Sequence, residues 1–108
     1  MKKMGAREFR KNEDLVKILK HGQKWTEETE VKVKFIINPY TIDELGFEEA
    51  FVSVELYHEG EERREYMTDI QYEDHPASKA KHYTLAKDLV EWFQRNGVNS
   101  TYKKEVFY

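Results

Sequence analysis

The sequence predicts an α+β fold with two layers, a three-stranded antiparallel sheet and two helices on one of its faces, in the order α-β-β-β-α. Residues 78–97 carry the longest amphipathic helical pattern of the chain. Residues 31–37, 50–58 and 62–72 alternate along the chain with the period of two that is typical of half-buried strands. A chain of 108 residues is long enough for one domain and too short for two, and we assign that domain to residues 12–108.

The first helix is predicted to begin at Asn12, whose side chain can accept hydrogen bonds from the first turn, and to end at Gly22. Leu15 and Ile18 lie on its apolar face. A helix of about nine residues is not stable alone, so this one must pack on the rest of the domain. Residues 1–11 show no apolar period and are rich in Lys and Arg, and we predict a flexible basic arm there.

The three strands are predicted from the alternation of their side chains, because successive residues of a strand point to opposite faces of the sheet. The residues predicted on the core face include Val31, Val33, Phe35, Ile37, Ala50, Val52, Val54, Leu56 and Ile70. Asn38-Pro39 is expected to end the first strand, since proline cannot donate to a β-ladder. The connections are predicted to hold one helical turn at residues 42–45 and a tight turn at Glu59-Gly60.

The last helix is predicted to lay an apolar stripe over the sheet. The stripe consists of Tyr83, Ala86, Leu89, Val90 and Phe93, which recur with the 3.6-residue helical period. Asn96-Gly97 is expected to end this helix, because glycine takes the left-handed cap conformation without a Cβ clash. The tail, residues 101–108, is strand-like, and the sheet has four strands if the tail joins it.

Composition and charge exclude several classes of protein. The chain has no cysteine, which excludes disulfides and thiolate metal sites, and no apolar run near the roughly 20 residues that span a bilayer, so we predict a cytoplasmic protein. Residues 1–24 hold eight Lys or Arg against three Asp or Glu, and residues 76–108 hold six against three. Residues 25–75 hold four against fifteen, so the middle of the chain is strongly acidic between two basic ends.

The last helix opens with Ser78-Lys79-Ala80-Lys81. With this stretch, the first strand Val31-Val33-Phe35 and the order of elements over residues 12–97, the chain resembles a double-stranded-RNA-binding domain. The resemblance implies nucleic-acid binding through the basic arm and the helices. The candidate residues are Arg7, Arg10, Lys11, Lys79 and Lys81. The loop that enters the RNA groove in that family differs here, because residues 38–49 hold four acids and no Lys or Arg.

The acidic middle of the chain leads to the main hypothesis, a non-enzymatic protein that binds a macromolecular partner through an acidic sheet face. The candidate binding residues are Glu55, Tyr57, Glu65, Met67 and Asp69. Tyr57 and Met67 would be apolar anchors among the acids, and a basic protein is the expected partner. A sheet face that is charged only for solubility is the alternative. The small size fits a bacterial or phage accessory or inhibitor protein.

Residues with catalytic or metal-binding chemistry form no recognisable motif. The histidines, His21, His58, His75 and His82, lack the short spacing of a metal site. The chain has no Gly-rich phosphate loop, no Gly-x-Ser-x-Gly elbow and no Cys/His pair. We therefore predict no enzymatic activity, no cofactor and no metal.

Overall fold

The computed structural model describes residues 5–25, 28–42, 46–58 and 63–106. Its elements are α1 (Ala6–Phe9), α2 (Glu13–Lys24), β1 (Thr29–Ile42), β2 (Glu48–His58), β3 (Arg64–Ile70), α3 (Lys79–Arg95) and β4 (Ser100–Val106). The α+β class is confirmed, and a short first helix and a fourth strand extend the predicted order to α-α-β-β-β-α-β. Residues 43–45 and the predicted turn at Glu59-Gly60 lie outside the described residues, and Ile42 belongs to β1 rather than to a helical turn.

The four strands form one mixed sheet in the order β3-β2-β1-β4. Strands β1, β2 and β3 pair antiparallel as predicted, with Val33 opposite Val54. Strand β4 pairs in parallel with β1, starting with Ser100 opposite Val31. The prediction of a purely antiparallel sheet is therefore wrong. Helix α3 carries the chain back along the sheet after β3, so β4 runs in the same direction as β3 and β1.

One hydrophobic core lies between the sheet and the helices. Its members include Leu15 and Ile18 of α2, Val31, Val33, Phe35, Val52, Val54 and Leu56 of the strands, and Leu85, Leu89 and Phe93 of α3. Because these strand residues alternate with the polar ones, they share one face of the sheet, and α2 and α3 both pack on that face. The opposite side, called the outer sheet face below, carries the alternate residues, among them Lys34, Glu55 and Met67.

Helix α3 buries a different arc from the one predicted. Leu89 and Phe93 are fully buried as expected, but Tyr83 is 48% exposed and Trp92 is only 5% exposed. The ring of Phe9 lies 5.5 Å from that of Trp92 in an edge-to-face arrangement. The buried arc is thus turned away from Tyr83, because α3 contacts the sheet on one side and α1 on another.

The described part of the N-terminal segment is not a free arm. Residues 6–9 form α1, and Phe9 is 2% exposed within the core. The backbone N–H of Gly5 donates to the Glu8 carboxylate at 3.0 Å, which closes the turn and lowers the pKa of Glu8. The prediction of a flexible basic arm at residues 1–11 does not hold for residues 5–9, because the buried Phe9 ring packs against Trp92 of α3. Residues 1–4 lie outside the described residues.

Helix α2 is capped as predicted and continues beyond its predicted end. The Asn12 side chain accepts hydrogen bonds from the backbone N–H groups of Asp14 (3.0 Å) and Leu15 (3.1 Å). Gly22 lies inside the helix, and a Cβ at this position would come within 2.8 Å of Cγ1 of Val98. Glycine is therefore required here because α2 and the segment that leads into β4 approach each other closely, and it does not end the helix.

His82 holds the connection between β3 and α3 from inside the core. Its side chain is fully buried, Nε2 accepts the backbone N–H of Tyr72 at 2.9 Å, and Nδ1 lies 2.7 Å from the carbonyl oxygen of Ser78. Since Nε2 accepts, the proton of the neutral ring must lie on Nδ1, which donates to Ser78. Burial lowers the pKa of His82, which favours this neutral form.

Candidate functional site

Glu55, the central residue of the predicted acidic face, lies on the outer sheet face but is only 3% exposed. Its carboxylate lies 2.6 Å from Nζ of Lys34 in β1 and 2.8 Å from the guanidinium of Arg64 in β3. The Tyr57 hydroxyl donates to the same carboxylate at 3.2 Å. Glu55 is thus not a free negative charge available to a partner. The alternation of β2 placed it on the correct face, but the neighbouring strands supply two cations that neutralise it.

Glu55 belongs to a chain of charges that crosses all four strands, here called the ionic ladder. Its members are Arg64, Glu55, Lys34, Glu105 and Lys103. Burial raises the pKa of Glu55, but hydrogen bonds from Lys34 and Arg64 outweigh burial and hold the pKa below its ordinary value. The hydrogen bond with Glu55 raises the pKa of Lys34. Both groups therefore stay ionised at neutral pH, and the ladder links the strands while leaving little net charge at the centre of the face.

Met67 and Asp69 are the predicted binding residues that remain accessible. Both lie in β3, which is an edge strand of the sheet. Met67 pairs with Glu55 and is 49% exposed, whereas Asp69 pairs with Ser53 and is exposed. One thioether and one carboxylate are therefore free to meet a partner here.

Tyr57 and Glu65 are half-buried and already have cationic neighbours. Nζ of Lys32 lies 4.9 Å from the centre of the Tyr57 ring. The Glu65 carboxylate lies 2.8 Å from Nε of Arg63. Glu55, Tyr57, Met67 and Asp69 therefore lie close together on the outer sheet face. Cations from the neighbouring strands lie among them, so the face mixes both signs of charge.

The five candidate nucleic-acid residues are distributed over both ends of α3. Arg7, Arg10 and Lys11 are exposed around α1, which packs beside Trp92. Lys79 and Lys81 lie in the first turn of α3, about 16 Å away along the helix axis for eleven residues of helix. Nζ of Lys79 is 3.6 Å from the carboxylate of Glu48. A phosphate bound at Lys79 would therefore meet the like charge of Glu48, which disfavours the arrangement of a double-stranded-RNA-binding domain.

The most exposed large apolar side chains of the described residues lie at the end of the β1–β2 hairpin. They are Tyr40 (72% exposed), Phe47 (60%) and Ile42 (59%). Glu48 and Glu49 follow in β2, and Ile42 pairs with Glu48. We call these five residues the hairpin end. It combines apolar side chains with carboxylates at one end of the sheet.

Strand β1 forms the hairpin end by running past its parallel partner. β4 ends in the pair Ile37–Val106, whereas β1 continues to Ile42. The predicted strand end at Asn38-Pro39 is therefore corrected. The pairing with β2 shifts register between Asn38 and Ile42, and proline is tolerated at such an irregularity because no regular ladder bond needs its missing N–H.

The connection from β3 to α3 supports the base of the hairpin end. The backbone N–H of Ala50 donates to the carbonyl of Pro76 at 2.9 Å, and the Gln71 side-chain amide donates to the carbonyl of Ala50 at 2.9 Å. Glu73 and Asp74 are exposed in this connection. These hydrogen bonds hold the start of β2 along the edge that β3 does not cover. Two further carboxylates, those of Glu73 and Asp74, lie at the same end of the sheet.

Two of the histidines belong to a stack of rings at the opposite end of the sheet. His21 lies between Trp25 (4.9 Å between ring centres) and Tyr66 (4.6 Å), and His58 stacks on Trp25 at 4.6 Å. In the part of the chain that the structure describes, no three His, Cys, Asp or Glu side chains are placed to hold a metal ion. None of the described helices is long and apolar enough to cross a membrane.

Comparison of the chain with protein-family models, curated proteins and solved structures gives no match. Sequence reasoning missed Tyr40, Ile42 and Phe47 as functional candidates, because Pro39 assigned them to a connecting loop. The pattern that could have identified them is the presence of four large apolar residues, Tyr40, Ile42, Leu45 and Phe47, within a short stretch that also holds four acids, PYTIDELGFEE.

Proposed function

We propose that this protein is a non-enzymatic interaction domain that binds a basic partner protein through its hairpin end. The observation that carries the proposal is the exposure of Tyr40, Ile42 and Phe47 beside carboxylates. Scattered exposed apolar residues are normal on a protein surface, but several large ones at one place are typical of an interaction site.

The chemistry of the hairpin end defines the partner that it fits. Tyr and Phe side chains are enriched at the centres of protein interfaces, where they enter apolar pockets, and the surrounding charges guide association. Glu48 and Lys79 are each about half exposed, at 43% and 50%, so their ion pair at 3.6 Å contributes little and can exchange for a partner's cation. The partner surface is therefore an apolar pocket with a Lys- or Arg-rich rim.

The hairpin end is favoured over the outer sheet face because Glu55 of that face is neutralised by Lys34 and Arg64. Met67 and Asp69 nevertheless offer an alternative contact on β3 with the same type of chemistry. The two surfaces make different predictions for point variants, and one experiment can separate them.

The experiment uses the full chain as immobilised bait in a lysate of its source organism, with quantitative mass spectrometry of the bound proteins. The test variant is Tyr40→Ser/Phe47→Ser, and the matched control is Met67→Ser/Asp69→Asn on the outer sheet face. We expect a basic protein that binds the wild type and the control equally, is released by rising salt, and binds the test variant at least tenfold less.

If the control variant loses the partner and the test variant keeps it, the binding site lies on β3 instead of at the hairpin end. Equal recovery by all three baits would refute a specific role of either surface. Circular dichroism of each variant verifies the fold, since substitutions of exposed side chains should leave it intact.

A further inference from the structure

Helix α3 and strand β4 meet along a surface whose chemistry is opposite to that of the hairpin end. We call Tyr83, Lys87, Tyr102 and Lys104 the α3–β4 seam. Tyr83 and Lys87 are one helical turn apart, and Tyr102 and Lys104 are two residues apart on the strand, so each pair lies on one side of its element. Lysines and tyrosines thus line both walls of the seam.

Ring contacts hold the seam together. The rings of Tyr83 and Tyr102 are 5.8 Å apart and nearly perpendicular, and Nζ of Lys87 lies 4.5 Å from the centre of the Tyr102 ring. The Tyr83 ring also lies 6.1 Å from that of Phe35, which is the register partner of Lys104. Tyr83, Lys87 and Tyr102 are therefore in direct contact, and the register of β4 places Lys104 beside Phe35, which the Tyr83 ring contacts.

The seam is also accessible. Tyr83 is 48% exposed, Lys87 and Lys104 are exposed, and β4 is an edge strand of the sheet. Burial raises the pKa of Tyr102, so its phenol stays neutral and can donate a hydrogen bond at physiological pH. Two cations, one neutral phenol and one half-exposed ring are the groups that contact phosphates and stack on bases in single-strand binding proteins.

We propose that the α3–β4 seam binds single-stranded nucleic acid, with Lys87 and Lys104 at phosphates and the Tyr83 ring stacked on a base. This site does not depend on the proposed function of the hairpin end, and it differs from the basic residues considered for duplex RNA. A single strand fits better than a duplex, because its bases are free to stack on an aromatic ring. An acidic peptide would use the lysines but would leave the tyrosine ring without a role.

The test measures the fluorescence anisotropy of a labelled oligo-dT of about twelve nucleotides with the full chain at several salt concentrations. Each phosphate that a lysine neutralises contributes about 0.7 to the slope of log affinity against log salt for a single strand. Lys87→Gln and Lys104→Gln should each lower the slope by about 0.7. Tyr83→Leu should weaken binding about fivefold or more without changing the slope, because stacking does not release counterions.

Lys32→Gln is the matched control, since Lys32 also lies over a tyrosine ring, that of Tyr57, but on the outer sheet face. It should bind oligo-dT like the wild type. Absence of binding at 50 mM salt, or equal effects of Lys32→Gln and Lys87→Gln, would overturn the proposal. Competition by heparin or polyglutamate as effective as that by unlabelled oligo-dT, with no effect of Tyr83→Leu, would indicate a general polyanion site and would also overturn it.

Discussion

Reversal of the charge at Glu55 should strongly destabilise the fold, although this residue lies on the side of the sheet away from the helices. The carboxylate side chain is 4% exposed and its cation at Lys34 is 19% exposed, so both charges have lost most of their water. Removal of one member of a buried ion pair costs about 3–5 kcal/mol, because the remaining charge has no compensation. Arg64 is half exposed, so its ion pair with Glu55 contributes only a small part of this cost. We expect Glu55→Lys to lower the free energy of unfolding by at least about 3 kcal/mol.

Urea unfolding measures this loss directly. With an m-value of about 1.5 kcal/mol per molar urea, a loss of 3 kcal/mol lowers the unfolding midpoint by about 2 M. Asp69→Lys is the control, because Asp69 is exposed on the same face and its reversal should cost less than about 1 kcal/mol. Equal midpoints for Glu55→Lys and Asp69→Lys would refute the reasoning, since they would mean that Glu55 is as well solvated as Asp69.

The pH dependence of unfolding tests the same ion pair without reversing a charge. The pKa of Glu55 is lower in the folded protein than the ordinary value near 4.3 of the unfolded chain. Its contribution is therefore complete above that value and is lost as the pH falls through the lower, folded pKa. Glu55→Gln should remove this part of the acid sensitivity, and an unchanged acid profile would contradict the assignment.

Two further predictions concern the core. Phe9→Ala should lower the free energy of unfolding by about 3–5 kcal/mol, whereas Arg10→Ala should change it by less than about 0.5 kcal/mol. Equal melting temperatures of the two variants would show that Phe9 is not packed in the core and would support a flexible arm instead. The His82 ring should titrate by NMR with a midpoint below the ordinary value near 6.5, and stability should fall as the pH drops from that value through the folded pKa. A midpoint at or above 6.5 would show that the ring is not buried as described.

The sequence predicts those parts of the fold in which one apolar face repeats over several residues. Val31, Val33, Val52 and Val54 alternate cleanly, and the structure buries all four. Phe9 is a single ring among charged residues, so no period reveals that it is buried. Its partner Trp92 was missed for a related reason, because α3 packs on two neighbours and a single-stripe pattern describes only one of them.

The parts of the candidate site that escaped prediction depend on neighbours from distant strands. The alternation of β2 tells which way Glu55 points, but not that Lys34 and Arg64 lie on either side of it. The direction of β4 is equally hidden, because Lys103-Lys104-Glu105 shows no alternation and its pairing follows from the path of α3. The number of charged residues in a segment can therefore be read from the sequence. The net charge of a surface also depends on which residues the strand register places side by side.

The parallel pairing of β4 with β1 also shapes how the chain reaches its fold. β1, β2 and β3 follow one another closely, so their pairing closes short loops, whereas Val31 pairs with Ser100, which lies much farther along the sequence. Contacts of large sequence separation form slowly because they close long loops. During synthesis β1 therefore spends a period with one edge open, until residues 100–106 have been made and β4 covers it. An edge of this kind is where a nascent chain pairs with other strands, so the protein is most prone to aggregate before β4 has paired with β1.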